Sequence, residues 1–519
     1  MTDTISVEAP SPPGLPEDHP PAGGVVPRIR KGRWIDSWDP DDEAFWATTG
    51  QRIARKNLAL SMLAEHIGFG IWVVWTIVVL NLANHGITLS VSDLFLLTLI
   101  PNLIGSLLRI PYTFAVPRFG GRAWTTISAG LLFIPALLLA VLVPSGWLLH
   151  QAHLTQVWVL FGCAATSGVG GGNFSSSMAN ISFFYPDRKK GLALGLNAAG
   201  GNLGVAVAQV FVPLAVIIGI PSSAVKLSRH RVHLANAGLM WLPFIALAVT
   251  LAWRYMDSLT QARADTSSYV ASLRYRHTWM MSFLYVGTFG SFIGFSFALP
   301  LVIKNTFPEF LAGHQFIATY LAGLGFVGAL IGSSARPLGG LLADRIGGAR
   351  VTLTVFLGMA GATAMAVLGV QDRSFPVFFG SYMVVFLLAG IGNGSTYKMI
   401  PTIFARLGRH EAACAGTEPH AVAVEFKRRA AAVIGIAGSI GAFGGVLIQV
   451  VLRQSSLEIS ALVKAAKTPA AKVAVASAHA AWSVPALWVF FGSYLLFAAT
   501  TWAVYVRPGA SNGPLGSGI

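Results

Sequence analysis

The chain has 519 residues, of which 54% are hydrophobic and only 11% charged. That is too few charges to clothe a soluble globule of this length, so its surface must be solvated by lipid. The net charge of +15 comes from basic residues scattered over short loops without interleaved aromatics, which argues against a nucleic-acid partner, and two cysteines, Cys163 and Cys414, exclude a disulfide framework or a cysteine metal site.

Residues 1–33 are polar and rich in proline, with no apolar core; they are neither a signal peptide nor a span and read as a disordered cytoplasmic tail. Residues 34–57 mix tryptophans with acids and then bases, as suits an interfacial segment. Runs of the roughly 20 apolar residues that cross a bilayer follow at 58–80, 94–115, 123–143, 157–185, 192–219 and 238–256. A cytoplasmic linker, 257–278, precedes six more at 279–303, 316–342, 351–370, 376–404, 430–452 and 483–505, and a tail over 506–519 is expected to be cytoplasmic. The expected fold is an all-α membrane protein with twelve transmembrane helices in two pseudo-symmetric six-helix halves, 58–256 and 279–505. With the N-terminus inside, the majority of the 36 Lys and Arg fall on the cytoplasmic side, as the positive-inside rule requires. Two long outer connections, 221–236 and Arg453 to His479, weaken that bias without reversing it. A monomeric, multi-pass protein of the cytoplasmic (inner) membrane is expected, with both termini cytoplasmic.

Two arginines stand inside apolar stretches, Arg109 in LIGSLLRIPYTF and Arg336 in LIGSSARPLGGLL, 227 residues apart. Nine residues after each comes a matched turn, Arg118-Phe119-Gly120-Gly121 and Arg345-Ile346-Gly347-Gly348. The halves match elsewhere too. An offset of 220 lays Gly170, Gly172, Asn173, Ser175 and Ser176 over Gly390, Gly392, Asn393, Ser395 and Thr396, and an offset of 240 lays Gly195, Gly201 and Gly204 over Gly435, Gly441 and Gly444. The chain is a duplication. Small residues at helical spacing let backbones approach closely and slide, so these six glycines are candidate gating positions, though any one of them reads equally as static packing.

A buried cation costs several kcal/mol unless paired, and apart from Glu65 the spans hold no acid placed to neutralise two guanidiniums. The expected counter-ion is a mobile anion, and the planar fork of arginine suits a flat oxyanion. Asn173, Asn197 and Asn202 are neutral donors, and Phe174, Tyr285 and Phe289 could clamp a flat ligand, although each aromatic alone reads as packing. Glu65 and His66, expected one turn into the first span, have the composition of a proton relay, against the alternative that Glu65 pairs near the interface. Lys398 reads as a snorkelling residue. No metal, cofactor or enzyme motif is found: HExxH, GxSxG, the Walker loop and the dinucleotide fingerprint are all missing from the sequence.

The RFGGR turn and LADRIGGARV resemble the major facilitator superfamily. Within it, LLRIPYTFAVPRFGGR, GGGNFSSSMANISFFYP, GLNAAGGNLG, FGSFIGFS, SARPLGG and GIGNGSTYKMIP resemble the nitrate/nitrite porters, from about Trp34 to Arg507. The resemblance implies that Arg109 and Arg336 grip the anion, that Phe174, Tyr285 and Phe289 sandwich it, and that Asn202 and the signature glycines gate it. The chain departs from the family pattern at Gly438-Ser439, so Ser439 carries no expected role. The resemblance implies a carrier for nitrate and also for nitrite, and the acid in span one tilts the expectation toward proton-coupled nitrate uptake. Nitrate/nitrite antiport is the alternative, followed by a porter for a small carboxylate and by a nitrate-binding membrane sensor without transport.

Overall fold

The computed structural model describes residues 29–218, 232–262, 266–416, 419–466 and most of 468–507. Helix α1 spans Glu43–Asn81, α2 Val91–Thr113 and α3 Gly121–Leu142. Helix α4 is in two pieces, His153–Thr166 and Gly168–Phe184, parted at Ser167. Then come α5, Asp187–Ile218, and α6, Asn236–Tyr255. The second half holds α7, Arg276–Thr306, α8, Gly325–Ile346, α9, Gly348–Gln371, α10, Phe375–Ala415, α11, Pro419–Ser455, and α12, Ala481–Val506. Among the described residues, eleven helices are long and apolar enough to cross a membrane. The twelfth is α4, whose pieces are 14 and 17 residues long.

The duplication is visible in how the helices pack. Helix α1 lies on α5 as α7 lies on α11, α2 on α4 as α8 on α10, and α3 on α6 as α9 on α12. Between the halves α2 meets α11 and α8 meets α5, one contact made twice. Large apolar side chains such as Ile127, Phe211, Leu247, Leu357 and Leu496 are exposed, whereas Asn57, Glu65, Asn102, Arg109, Asn197, Gln209 and Gln449 are buried. Polar inside and apolar outside is the arrangement a lipid solvent selects. The two RxGG turns are matched in backbone as well: Gly120 has φ 83° and Gly347 φ 91°, a region that side-chain-bearing residues avoid.

Four expectations change. The first helix starts at Glu43, not 58, because Asp42 caps it by accepting from the Ala44 and Phe45 amides and the charged turns continue the helix beyond the apolar run. Of the tail expected over 1–33, residues 1–28 lie outside the described residues, while Ile29–Arg30 (β1) pairs antiparallel with Trp34–Ile35 (β2), which pairs in parallel with Ser258–Leu259 (β3). The linker 257–278 accordingly contains a strand, and also a short helix, Thr266–Ser272. The eighth span begins at Gly325, since Gln315–Tyr320 is a separate helix and Leu324 adopts a left-handed conformation, φ 68°. Most of the 221–236 connection and residues 508–519 are outside the described residues. Asp257, fully buried, fastens the N-terminal segment to the end of α6: its carboxylate pairs with Arg33 (2.7 Å) and Lys56 (2.6 Å) and accepts from Asn57 (2.9 Å). This cluster and the end of α12 share one face of the protein, the terminal face.

Candidate functional site

Arg109 on α2 and Arg336 on α8 come together between the halves, both buried, at 0% and 3% exposure. Their guanidinium carbons lie 4.7 and 5.7 Å from the centre of the Phe174 ring. Arg109 also lies over Phe289 at 5.0 Å and Trp72 at 5.5 Å, and Arg336 over Tyr397 at 5.0 Å. Ring faces stabilise desolvated cations but do not neutralise them. Arg109 Nε donates to the Gly171 carbonyl (3.1 Å) and Nη1 to the Gly438 carbonyl across the interface (2.7 Å); Arg336 Nη2 donates to the Tyr285 hydroxyl (3.0 Å). Arg109 Nη2 and Arg336 Nη1 are buried with no partner. Each arginine therefore keeps one terminal nitrogen uncommitted, in a place where an unmet charged donor is costly.

The three expected aromatics are also here. Phe174 and Phe289 are nearly parallel, 19° apart with centres 5.9 Å apart, and Tyr285 stacks on Phe289 at 5.3 Å and 6°. At these separations the rings stack on one another, so the expected clamp is closed on itself. Tyr397, which the sequence reading passed over, packs against Tyr285 with centres 4.7 Å apart. Gly438 was likewise missed, because its contribution is a carbonyl oxygen that no side chain advertises.

Asn173 and Asn202 are buried without a hydrogen bond to either arginine: Asn173 Oδ1 accepts from Ser176 (2.9 Å), and Asn202 Oδ1 has no partner. Asn197 serves Glu65 instead. Glu65 Oε2 accepts from Ser177 Oγ (2.7 Å) and Asn197 Nδ2 (3.1 Å), and Ser177 also bonds Ser61 (2.9 Å). Glu65 Oε1 is buried without a partner. Because α1 starts early, Glu65 is mid-helix, and it is fully buried. His66 points elsewhere, its Nδ1 bonding the Gly200 carbonyl at 3.0 Å, so the two do not form a linked relay. Lys398 pairs with Asp344 at 2.8 Å, tying α10 to α8.

The six glycines form a gradient along the interface. A Cβ at Gly195 would meet nothing within 4 Å, and at Gly435 it would make only ordinary contacts, with the Tyr269 ring and hydroxyl from 3.5 Å and with Thr113 Cγ2 at 3.7 Å. At Gly201 it would press Glu65 (2.7 Å), at Gly444 the Val286 carbonyl oxygen (2.8 Å), and at Gly204 and Gly441 it would collide with the His66 carbonyl and the Tyr285 ring. The helices are thus loose toward the terminal face and locked toward the other. On the loose side a cavity of about 30 Å³ is lined by Ser175, Met178, Tyr269, Tyr397, Ile434 and Gly435, room for a water or two. Ser175 Oγ is buried without a partner, and burial raises the Tyr269 phenol above its ordinary range, keeping it a neutral donor.

Residues 60–417 match the family model described as Major Facilitator Superfamily. The chain is 37% identical to the nitrate/nitrite transporter NarU of Escherichia coli over 426 residues, 80% of this chain and 88% of that one. It is 35% identical to the probable nitrate/nitrite antiporter NarK2 of Thermus thermophilus over 387 residues, 72% and 84% of the two chains. Among solved structures, a D-xylose-proton symporter aligns over 89% of this chain and 99% of that one, with TM-score 0.61 and 15% identity, a likeness of fold alone. An arginine from each repeat, meeting on one aromatic ring inside a duplicated twelve-helix bundle, together with these relatives, places the chain in the nitrate/nitrite porter family of the major facilitator superfamily, whose members are carriers and not enzymes.

Proposed function

We propose that this protein carries nitrate and nitrite across the cytoplasmic membrane by alternating access, with the terminal face in the cytoplasm. The observation that carries the reading is the pair of unpartnered guanidinium nitrogens, one from each half, on arginines that both lie against the Phe174 ring. A planar oxyanion accepting from both would satisfy two costly donors and offset the repulsion between two cations. Without it the halves are pushed apart at the site; with it they can rock as one around an occupied centre. Entry of the anion requires Phe174 and Phe289 to part, so that the closed stack becomes a sandwich. Asn202 gates the path from α5, and the protein works as a monomer.

Glu65 couples the cycle to protons in this reading. Its Oε2 is held by Ser177 and Asn197 while Oε1 is open to a proton, and it sits against Gly201 of α5, a helix that must move when the halves rock. Nitrate/nitrite exchange is the second reading, favoured by the absence of a hydrogen bond between Glu65 and either arginine and by the relative named an antiporter. Nitrate flux into proteoliposomes, measured across a pH gradient and with or without internal nitrite, separates them. Glu65→Gln is expected to abolish gradient-driven uptake and retain exchange; uptake indifferent to the substitution would remove Glu65 from the coupling. Competition by short carboxylates tests the choice of anion, and any flux into empty liposomes excludes a sensor without transport.

A further inference from the structure

Eight residues past Gly201 and Gly441, on the side away from the terminal face, stand Gln209 and Gln449. They are 240 apart, the offset of the glycines, and both are fully buried. At 1.5 Å per residue they lie about 12 Å beyond the level of Glu65 and Tyr285. Gln209 Nε2 donates to the Ser296 carbonyl of α7 at 2.7 Å, a bond from the first half to the second. That carbonyl is available because Pro300, four residues on within the same helix, has no amide to offer it. Gln449 Nε2 donates to the Gly294 carbonyl of α7 (3.1 Å) and its Oε1 accepts from Thr98 Oγ1 of α2 (3.0 Å), the second of which crosses between halves. Lys304 Nζ donates to the Leu80 carbonyl (2.9 Å) and the Ser92 amide to Ser460 Oγ (3.0 Å) on the same side. One turn below Gln449, Gly445 lies so close to the Asn102 amide that a Cβ would collide with it.

We infer that Gln209 and Gln449 are a repeat-related latch that holds the face opposite the termini closed, and that their cross-half bonds to Ser296 and Thr98 must break before an anion can enter from that side. The inference rests on the carrier reading above. Each bond joins a side chain of one half to the other at a level where the halves pack closely, as Gly445 does on Asn102, so rocking the halves apart on that face stretches both together. Amides suit the task because a neutral hydrogen bond in a dry interface is specific yet modest in net strength, and a charged pair there would compete for the transported anion. The glutamines act on which face is open and do not touch the substrate; they are positioning residues.

The test measures accessibility and needs no substrate. In full-length protein carrying Cys163→Ala and Cys414→Ser, Asn102→Cys reports on the closed side to a membrane-impermeant thiol reagent added from either face. Gln209→Met keeps the volume and removes the donor; Thr98→Val removes the cross-half bond of Gln449, together with the hydroxyl's local bond to the Phe95 carbonyl, and leaves the Gln449 bond to the Gly294 carbonyl. Each is expected to raise labelling from the closed face about fivefold, as loss of one such bond shifts a two-state equilibrium, with no rise from the terminal face, and the pair of substitutions to raise it further. Unchanged labelling overturns the latch, as does labelling that rises equally from both faces with a lowered melting temperature, which would mark ordinary packing residues. Nitrate is then added to the parent. Protection of the cysteine supports the carrier reading independently, so a failed latch and a wrong substrate give different results.

Discussion

At one place in the first half stands Glu65 and at the same place in the second stands Tyr285, 220 residues later. Gly201 presses the one as Gly441 presses the other, and Gly204 meets the His66 carbonyl as Gly444 meets that of Val286. The neighbour on the fourth helix has diverged at the same offset: Ser177 bonds Glu65, whereas Tyr397 packs on Tyr285 and lies under Arg336. The first half thus surrounds its acid with hydroxyls and an amide, and the second packs two phenols together beside its arginine. Packing constrained the glycines, because any side chain there would part the helices, but it left the residues they press free to change. A duplicated scaffold could therefore assign proton chemistry to one half and anion contact to the other while keeping one arginine in each.

If both halves grip the anion, removing the fork from either should cost about the same. Arg109→Lys and Arg336→Lys keep the charge but lose the planar donors and the ring stacking. Each is expected to weaken nitrate binding about 100-fold, within the range for breaking a buried charge pair, measured by calorimetry on purified protein. A large loss at one position with indifference at the other would mean that a single half carries the substrate. That result would break the symmetry argument at its centre.

The glycines sharpen the comparison along a second direction. Gly204→Ala is expected to destabilise by about 1–3 kcal/mol, the usual range for overpacking, since its Cβ would drive into a backbone carbonyl. Gly444→Ala, with 2.8 Å to the corresponding carbonyl, should cost less. Gly195→Ala, which meets nothing, should be neutral or gain a few tenths of a kcal/mol from helix propensity. Thermal unfolding in detergent ranks the three. Equal effects at Gly195 and Gly204 would contradict the loose-to-locked gradient.

Much of this was legible in the sequence because the signals were extreme. Apolar runs gave the number of spans, and two charges inside them gave the arginine pair. What stayed hidden has physical reasons. Gly171 and Gly438 contribute carbonyl oxygens, which every residue carries. Tyr397 stands 220 residues after Ser177, and that repeat relation is the one sequence signal that points to it. Residues 43–57 read as interfacial because of their charges, yet charge does not end a helix that has left the lipid, and so the helix begins at Glu43 and Glu65 stands at its middle. The split at Ser167 depends on how closely Gly168, Gly170 and Gly171 approach Ile104, Gly68 and Trp72, contacts between helices far apart in the chain.

The smallest expected effect falls on the phenol that distinguishes the second half. Tyr285 is fully buried, and its hydroxyl accepts the one hydrogen bond that Arg336 makes to a side chain. Tyr285→Phe leaves the stack on Phe289 intact and frees a second nitrogen of Arg336. Loss of one such bond is worth about 1 kcal/mol, or roughly fivefold in affinity. If the hydroxyl only holds the guanidinium in place, the substitution weakens nitrate and nitrite alike. If it also touches the anion, the two must respond differently, because nitrite presents one oxygen fewer to the same donors. Affinities of the parent and of Tyr285→Phe for both anions, titrated side by side, decide between orienting the arginine and contacting the substrate.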